Sequence, residues 1–303
     1  MKISLDFLIV LDAIDRHGSF SAAASALHRV PSALSHTVAK LEADLDVALF
    51  TRNGRRATLT PAGRALLEDG RHLLVAASEL ERRVQRIAKG WEAELRIALD
   101  MLIPAERLLP TIGRFLAAGH GTEIRLAYEV LGGGWDALVT GRADLVIGVP
   151  GDMPARSGIA TRLLAPDCRL RFMVAPSHPL ASCPGPIDAA ELRNHRAIAI
   201  ADTSRELTAR TAGLLEGQET LRVPDMATKA AAQAAGLGIG HLPRWLAERE
   251  AAAGRLVERP LADTRPATPC YIAWRSRRIG KALEWFLAEL EKPEVLELLA
   301  DGL

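Results

Sequence analysis

The sequence predicts a chain in two parts, a small helical N-terminal unit joined by one long helix to a larger α/β unit. Three observations predict it. Between Phe20 and Gly63 two short helical patterns are followed by a basic hairpin. From Pro61 the chain runs to Gly90 with apolar residues every seven positions and no breaker other than Gly63 and Gly70. Beyond Lys89-Gly90, short apolar strands alternate with amphipathic helices. A length of 303 residues fits about two domains.

Leu5 to Arg16 reads as an amphipathic helix with Phe7, Leu8, Leu11 and Ile14 facing inward. Ser21 is read as the N-cap of the next helix, whose Ala22, Ala23, Ala24, Ala26 and Leu27 allow close packing. After His28 and Arg29 the chain restarts at Pro31, a favoured first helical residue because its missing N–H would be unpaired there. Ala33, Leu34, Val38, Leu41 and Leu45 then form an inward stripe, and Ser32, Ser35, His36, Thr37 and Lys40 lie opposite. Two short helices with a small-residue seam and a polar outer face describe a helix-turn-helix, whose second helix enters the major groove of DNA. The alternative is a helical hairpin with a solvated face. The segment after the second helix favours DNA: Asn53-Gly54 is a strong hairpin signal, and Arg52, Arg55 and Arg56 surround it. A basic wing grips phosphate while a neighbouring helix reads bases.

With these residues in view, the sequence resembles the LysR-type transcriptional regulators. The matching set is Gly18-Ser19-Phe20, Ala23-Ala24, Leu27, Ala33-Leu34-Ser35, Leu41-Glu42, Leu49-Phe50, Arg52, Arg55 and Leu59-Thr60-Pro61-Ala62-Gly63. Departures fall at Val30 and Pro31, where the family usually has Ser and Gln, and at His36, often Arg. Those positions commonly touch DNA, so an unusual base preference is expected. The resemblance implies a winged helix-turn-helix, a long linker helix and a two-lobed, periplasmic-binding-protein-like α/β effector domain. Candidate DNA contacts are Ser21, Ser32, Ala33, Ser35, His36 and Lys40, with Arg52, Arg55 and Arg56 on phosphates. The implied partners are double-stranded promoter DNA, a small-molecule effector, RNA polymerase and further copies of the chain.

Thr60 caps the long helix and Pro61 opens it. About 28 residues at about 1.5 Å each make it roughly 42 Å long. Leu66, Leu73, Leu80 and Ile87 recur at sevens, Gly70, Ala77 and Val84 occupy the alternate seam, and Glu79, Glu81, Arg82, Arg83 and Arg86 lie outside it. Such a helix needs a partner, either its own domain or another copy. Paired linker helices in the family favour a homodimer, and a homotetramer beyond it. The candidate dimerisation residues are Leu66, Leu73, Ala77, Leu80, Val84 and Ile87.

In the larger unit, strands are expected at 94–99, 123–131, 144–149, 170–175, 197–201, 221–223, 239–242 and 270–274. Helices are expected at 106–116, 135–140, 205–215, 226–235, 244–253 and 281–291. The alternation implies a mainly parallel arrangement with ligands beyond the strand carboxyl ends. This half also resembles the family's effector region at Leu108-Leu109-Pro110, Gly141 with Asp144, His178-Pro179-Leu180, and Gly236-Leu237-Gly238-Ile239 through Leu242-Pro243. The implied division is a winged domain over 1–60, a linker helix over 61–89 and an effector domain over 90–303. One lobe would take about 92–162 and 267–292, the other about 163–266. Candidate effector residues are Asp100, Met101, Leu102, Ile103, Glu129, Val130, Trp135, Val149, Asp202, Thr203 and Ser204. The family usually has Ser or Thr where this chain has Asp100. A carboxylate there repels carboxylate effectors, so a neutral or cationic donor is expected, phenol-like aromatics ahead of organic acids. The alternative is that Asp100 caps the following helix near Pro104 and never meets the ligand.

Other readings find less support. Gly236-Leu237-Gly238-Ile239-Gly240 leads from a helix into a strand, the reverse of a dinucleotide loop. Gly132-Gly133-Gly134 before Trp135 offers either backbone amides to a ligand or a plain turn. No G-x-S-x-G, H-E-x-x-H or C-x-x-C occurs, so no catalytic residue, metal site or cofactor is assigned. An enzyme or transport-type binding protein that borrowed the lobed domain is the competing class, and the winged helix argues against it. A net charge of +1 and a pI near 7.8 do not suggest nucleic acid, so the basic charge is local, at the wing. The start MKISLDFLIVLDAID carries acids within its apolar stretch and no run of about 18 apolar residues occurs after it, which points to a cytoplasmic protein without a membrane span. Cys168, Cys183 and Cys270 are dispersed and odd in number, which suits reduced thiols without a disulfide framework. A redox switch through Cys168 and Cys183 is the alternative to structural thiols.

Overall fold

The computed structural model describes residues 2–53, 56–151, 158–211, 213–263, 268–277 and 279–303. The chain divides into two compact units, Met1–Ala88 and Lys89–Leu303.

The first unit begins with α1 (Leu5–His17), α2 (Phe20–Ala26) and α3 (Pro31–Leu45). The strands β1 (Phe50–Asn53) and β2 (Arg56–Leu59) form an antiparallel hairpin, and α4 (Pro61–Ala88) comes next. Ser4 caps α1 by accepting from the Phe7 amide, and Gly18 ends it in the left-handed region at φ 69°. The cap of α2 is Ser19, which accepts from the Ala22 amide, so the reading of Ser21 as cap is corrected. Ser21 sits within the first turn, where only its carbonyl is engaged, by Ser25 Oγ. Phe7, Leu8, Leu11, Ile14, Ala23, Ala24, Leu34, Val38 and Leu41 make one core. Ala33 does not join it but lies exposed, because its position on α3 falls outside the buried arc of Leu34, Val38 and Leu41. Asp12 and Asp15 on α1 are held by Arg71 of α4, at 2.7 and 2.9 Å.

Thr60 accepts from the Gly63 amide at 3.0 Å and so opens α4 as expected. The helix has 28 residues. Its first half packs on α1: Gly70 is buried, and a Cβ there would lie 2.7 Å from Leu8 Cδ2. Gly70 therefore belongs to the inner face, not to the exposed seam. Leu73, Leu80, Val84 and Ile87 are all exposed, between 52 and 61%. Leu66 and Ala77 are half-buried.

The second unit opens with β3 (Glu94–Asp100), α5 (Leu109–Ala117), β4 (Glu123–Glu129), α6 (Gly133–Thr140), β5 (Leu145–Pro150) and β6 (Ile159–Cys168). The chain then crosses into a second lobe: β7 (Leu170–Val174), α7 (Ala189–Arg193), β8 (Ala197–Ile200), β9 (Thr220–Val223), α8 (Met226–Ala234), β10 (Gly240–Pro243), α9 (Arg244–Ala252) and β11 (Val257–Glu258). It returns along β12 (Thr268–Arg275) and closes with α10 (Lys281–Glu289) and α11 (Pro293–Ala300). The first lobe's sheet has the order β4-β3-β5-β12-β6, with Leu95, Ile97, Leu99, Phe115, Ile147 and Phe286 in its core. In the second lobe β10 and β11 flank β7, and β8 pairs with β9.

The sheets are mixed rather than mainly parallel. β4-β3-β5 and β8-β9 are parallel, but β12 is antiparallel to both β5 and β6, and β7 to both neighbours. The physical reason is the crossover: β6 carries the chain out and β12 carries it back, so they run oppositely. That pairing brings Cys168 opposite Thr268, and Cys168 forms a disulfide with Cys270 at a Cα separation of 6.5 Å. The expectation of unpaired thiols is corrected, and the partner of Cys168 is Cys270 rather than Cys183, which remains free. The expected helix over 205–215 is absent among its described residues.

Candidate functional site

Two places carry chemistry, one in each unit. In the first, α3 presents two faces. At about 100° per residue, Leu34, Val38 and Leu41 share one side, while Ser32, Ala33, His36 and Lys40 fall within about 100° of one another opposite. Burial follows this geometry: the three apolar residues are at most 3% exposed, and Ser32, Ala33, His36 and Lys40 are exposed. Ser35 is half-buried at the edge, and Thr37 turns its hydroxyl back onto the Ala33 carbonyl at 2.9 Å. Glu42, on the next turn, accepts from the amides of Leu49 (2.6 Å) and Phe50 (3.1 Å), fixing where the hairpin leaves α3. Arg29 in the turn before α3 makes a two-pronged ion pair with Asp6 of α1, at 3.0 and 2.6 Å. Arg55 and the side chains of Arg52 and Arg56 lie outside the described residues.

In the second unit, the strand ends expected to line a cleft meet a strap of the second lobe. Thr203 Oγ1 accepts from the Val130 amide at 2.9 Å and donates to Glu129. Asp202 accepts from the amides of Gly132 (3.0 Å), Ser204 (2.7 Å) and Arg210 (2.7 Å). A Cβ on Gly133 would overlap Thr203 Oγ1, and one on Gly132 would lie 2.8 Å from Ser204 Oγ. The glycine run thus admits the protein's own strap.

Beneath the strap is a buried charge cluster that the sequence does not announce. Arg142 donates to Glu129 and, at 2.9 Å, to Asp136. Asp136 is fully buried and also accepts from the amides of Glu206 (2.9 Å) and Leu207 (2.8 Å) across the lobes. Those amides belong to the first turn of the helix expected over 205–215, where a helix would leave them unpaired. The Arg210 amide, which a helix would bond to the Glu206 carbonyl, goes to Asp202 instead. Burial pushes the Asp136 carboxyl up, but the Leu207 and Glu206 amides and Arg142 outweigh it and bring it to about 2. Burial likewise raises Asp202, and its hydrogen bonds from Ser204, Arg210 and Gly132 outweigh that and hold it below the usual carboxylate range.

Asp100 is 5% exposed, and its carboxylate accepts from the Leu102 amide at 3.0 Å, closing a tight turn. Burial pushes it up to about 7, with the Asp202 charge adding and the Leu102 amide opposing. Met101 and Leu102 are half-buried at the strand end, and the Leu102 carbonyl accepts from the Trp245 indole of the second lobe at 2.9 Å. Val130 is buried under Thr203. Three expected lining residues lie elsewhere. Ile103 belongs to the core of the first lobe with Leu99 and Phe115. Trp135 and Val149 pack together in a second core, where the indole N–H finds the Pro150 carbonyl. Their apolar surface is spent on the lobe interior. Sequence reasoning missed Arg142, Asp136 and Trp245. Only a charged pair on either side of the Gly141 helix end hinted at the first two.

Residues 5–64 match the model of the bacterial regulatory helix-turn-helix protein, lysR family, and residues 88–293 that of the LysR substrate binding domain. The chain belongs to the LysR family of transcriptional regulators. Among this regulator's relatives is the uncharacterized HTH-type transcriptional regulator YeeY of Escherichia coli (strain K12), 40% identical over 290 residues that cover 96% of this chain and 94% of that one. The probable HTH-type transcriptional regulator YhaJ of the same strain is 41% identical over 291 residues, 96% of each chain. The crystal structure of the probable transcriptional regulator PA0477 from Pseudomonas aeruginosa shares the fold, with a TM-score of 0.60, 21% identity, and coverage of 95% of this chain and 97% of that one. The regulator thus pairs the family's DNA-binding helix-turn-helix with its substrate-binding domain. No helix among the described residues is long and apolar enough to cross a membrane.

Proposed function

We propose that the regulator binds double-stranded promoter DNA as a homodimer, assembling further to a tetramer, and that a small molecule held between its lobes modulates this binding. It is no enzyme on this reading, acts in the cytoplasm where the promoter is, and meets RNA polymerase there. The observation that carries the reading is α3: an apolar arc closed into the core and an opposite arc of Ser32, Ala33, His36 and Lys40 left open. Ser32, Ser35, His36 and Lys40 read base edges, Ser21 and Ala33 border them, and Arg52, Arg55 and Arg56 hold phosphates. The exposed Leu73, Leu80, Val84 and Ile87, with Leu66 and Ala77 beside them, form the seam between two copies of α4. Arg55→Ala is expected to weaken binding to all sequences alike and lower the salt slope by about one. Ser35→Ala or His36→Ala is expected to change which site is preferred. An Arg55 variant that changed preference while keeping its salt slope would contradict the assignment.

For the effector, the cleft's charge supports a neutral or cationic molecule with a hydrogen-bond donor. Glu129 and Asp136 share the Arg142 guanidinium, and Asp100 and Asp202 lie close enough for the Asp202 charge to raise the Asp100 carboxyl. Met101, Leu102 and Val130 supply apolar surface, with Thr203 and Ser204 as hydroxyl partners. A thermal-shift series of phenols against organic acids, on wild type and Asp100→Ser, tests this. Stabilisation by carboxylates alone would overturn it, and loss of the phenol response in Asp100→Ser is the expected result.

A further inference from the structure

The two strands that join the lobes are tied together at the neck. The chain leaves the first lobe's sheet at Cys168, the last residue of β6, and β7 begins the second lobe two residues later. It re-enters on β12, whose third residue is Cys270. The Cys168–Cys270 disulfide joins residues 102 apart, so its loop contains every strand and helix of the second lobe. The two sulfurs differ in access: Cys270 is 0% exposed, whereas Cys168 is half-buried beside the exposed Asp167–Arg169 ion pair. Cys183 lies elsewhere in the second lobe and is unpaired with either. A regulator that works on promoter DNA does so in a compartment kept reducing, where a lasting structural disulfide is rare and a transient one usually senses oxidant.

We infer that Cys168 and Cys270 form a reversible redox site that takes a hydroperoxide as oxidant and, once joined, locks the neck between the lobes. Cys168, within reach of solvent, attacks as thiolate. Its sulfur bonds to the distal peroxide oxygen, the O–O bond breaks, and the departing alkoxide takes up a proton as alcohol, or as water from hydrogen peroxide. The Cys270 thiolate then attacks the Cys168 sulfenic sulfur; the S–S bond forms, the S–O bond breaks, and hydroxide leaves as water with a second proton. Two thiols thus lose two electrons and two protons, and one hydroperoxide becomes one alcohol and one water. A dithiol reductant reverses the bond by exchange. The chain leaves this sheet for the second lobe just beyond Cys168 and returns to it just before Cys270, so the covalent tie holds together the base from which both connecting segments bend when the lobes part. The strap's hydrogen bonds across the cleft, from Glu206 and Leu207 to Asp136 and from Gly132 to Asp202, then open less often.

The full-length protein is reduced, freed of reductant and given one equivalent of hydrogen peroxide. Thiol labelling should fall from three cysteines to Cys183 alone, and peptide mapping should find Cys168 joined to Cys270. Amide hydrogen exchange at Glu206 and Leu207 should slow by about tenfold on oxidation and recover with dithiothreitol. Cys168→Ser, a change at a half-buried position, and Cys270→Ala should each abolish both responses. A joined peptide containing Cys183, the absence of any joined peptide, or a Cys168–Cys270 bond that leaves the exchange unchanged would each overturn the inference.

Discussion

Replacing Arg142 by Met keeps the length of the side chain and removes the one cation between two buried carboxylates. Glu129 is 6% exposed and Asp136 is 0% exposed, so neither recovers full hydration when the guanidinium goes. Breaking a buried ion pair by removing one partner costs about 3–5 kcal/mol. Here the lower end applies, because Glu129 keeps the Thr203 hydroxyl and Asp136 keeps two backbone amides. For a unit of this size, a loss of about 3 kcal/mol lowers Tm by roughly 6–12 °C. The assay is direct, since all five tryptophans (Trp91, Trp135, Trp245, Trp274 and Trp285) lie in Lys89–Leu303, and tryptophan fluorescence follows that unit alone. The wild-type Asp136 carboxyl is held at about 2, below its ordinary 3.8, so its contribution is present above 3.8 and lost as pH falls through 3.8 toward 2. Without Arg142 the carboxylates shed charge more readily, so the Tm deficit should be larger at pH 8 than at pH 5. Asp136→Asn in the Arg142→Met background should restore about half of it, because Asn still accepts from the strap amides. A deficit under about 2 °C, or one equal at both pH values, would refute the reasoning.

Further outcomes are expected. Leu73→Glu with Leu80→Glu should give a monomer by analytical ultracentrifugation that no longer protects a two-half-site operator, while the tryptophan-monitored transition is unchanged; a monomer protecting the full operator would rule out the seam. Asp100 is raised from 3.8 to about 7, so folding favours its protonated form, and this contribution, present below 3.8, fades as pH rises toward 7. Asp100→Asn should therefore gain stability over wild type at pH 8 and not at pH 4, by an upper figure of about 4 kcal/mol, read as a higher Tm at pH 8; equal Tm differences at the two pH values would count against it.

Much of this was legible because it is local. The stripe of Leu34, Val38 and Leu41, Pro31 and Pro61 at helix starts, and Thr60 as a cap each depend on residues within a turn or two. The start and end of α4 follow from Thr60-Pro61 and Gly90 for the same reason. What escaped is non-local. β6, Ile-Ala-Thr-Arg-Leu-Leu-Ala-Pro-Asp-Cys, has neither clean alternation nor an apolar run, and it is a strand because β12 pairs with it along its length. The segment 205–215 has helical periodicity but gives its Arg210 amide, which a helix would bond to the Glu206 carbonyl, to Asp202, a carboxylate that no spacing rule places beside it. Trp135 and Ile103 sit next to cleft residues in sequence yet face the cores, since neighbours at a strand end or helix start point to opposite sides. The Cys168–Cys270 pair depends on a register set by the crossover, which the cysteine spacing alone does not reveal.

The measurement that tests the central claim most directly is a footprint of the full-length regulator on DNA from upstream of its own gene, repeated over a series of salt concentrations. Two protected half-sites are predicted, centred about one helical turn or a multiple of it apart, with affinity falling steeply as salt rises. Ser35→Ala or His36→Ala is predicted to shift protection to a different sequence while the spacing stays fixed. Affinity for that DNA no greater than for unrelated sequence, or protection indifferent to every change on the exposed face of α3, would contradict the claim.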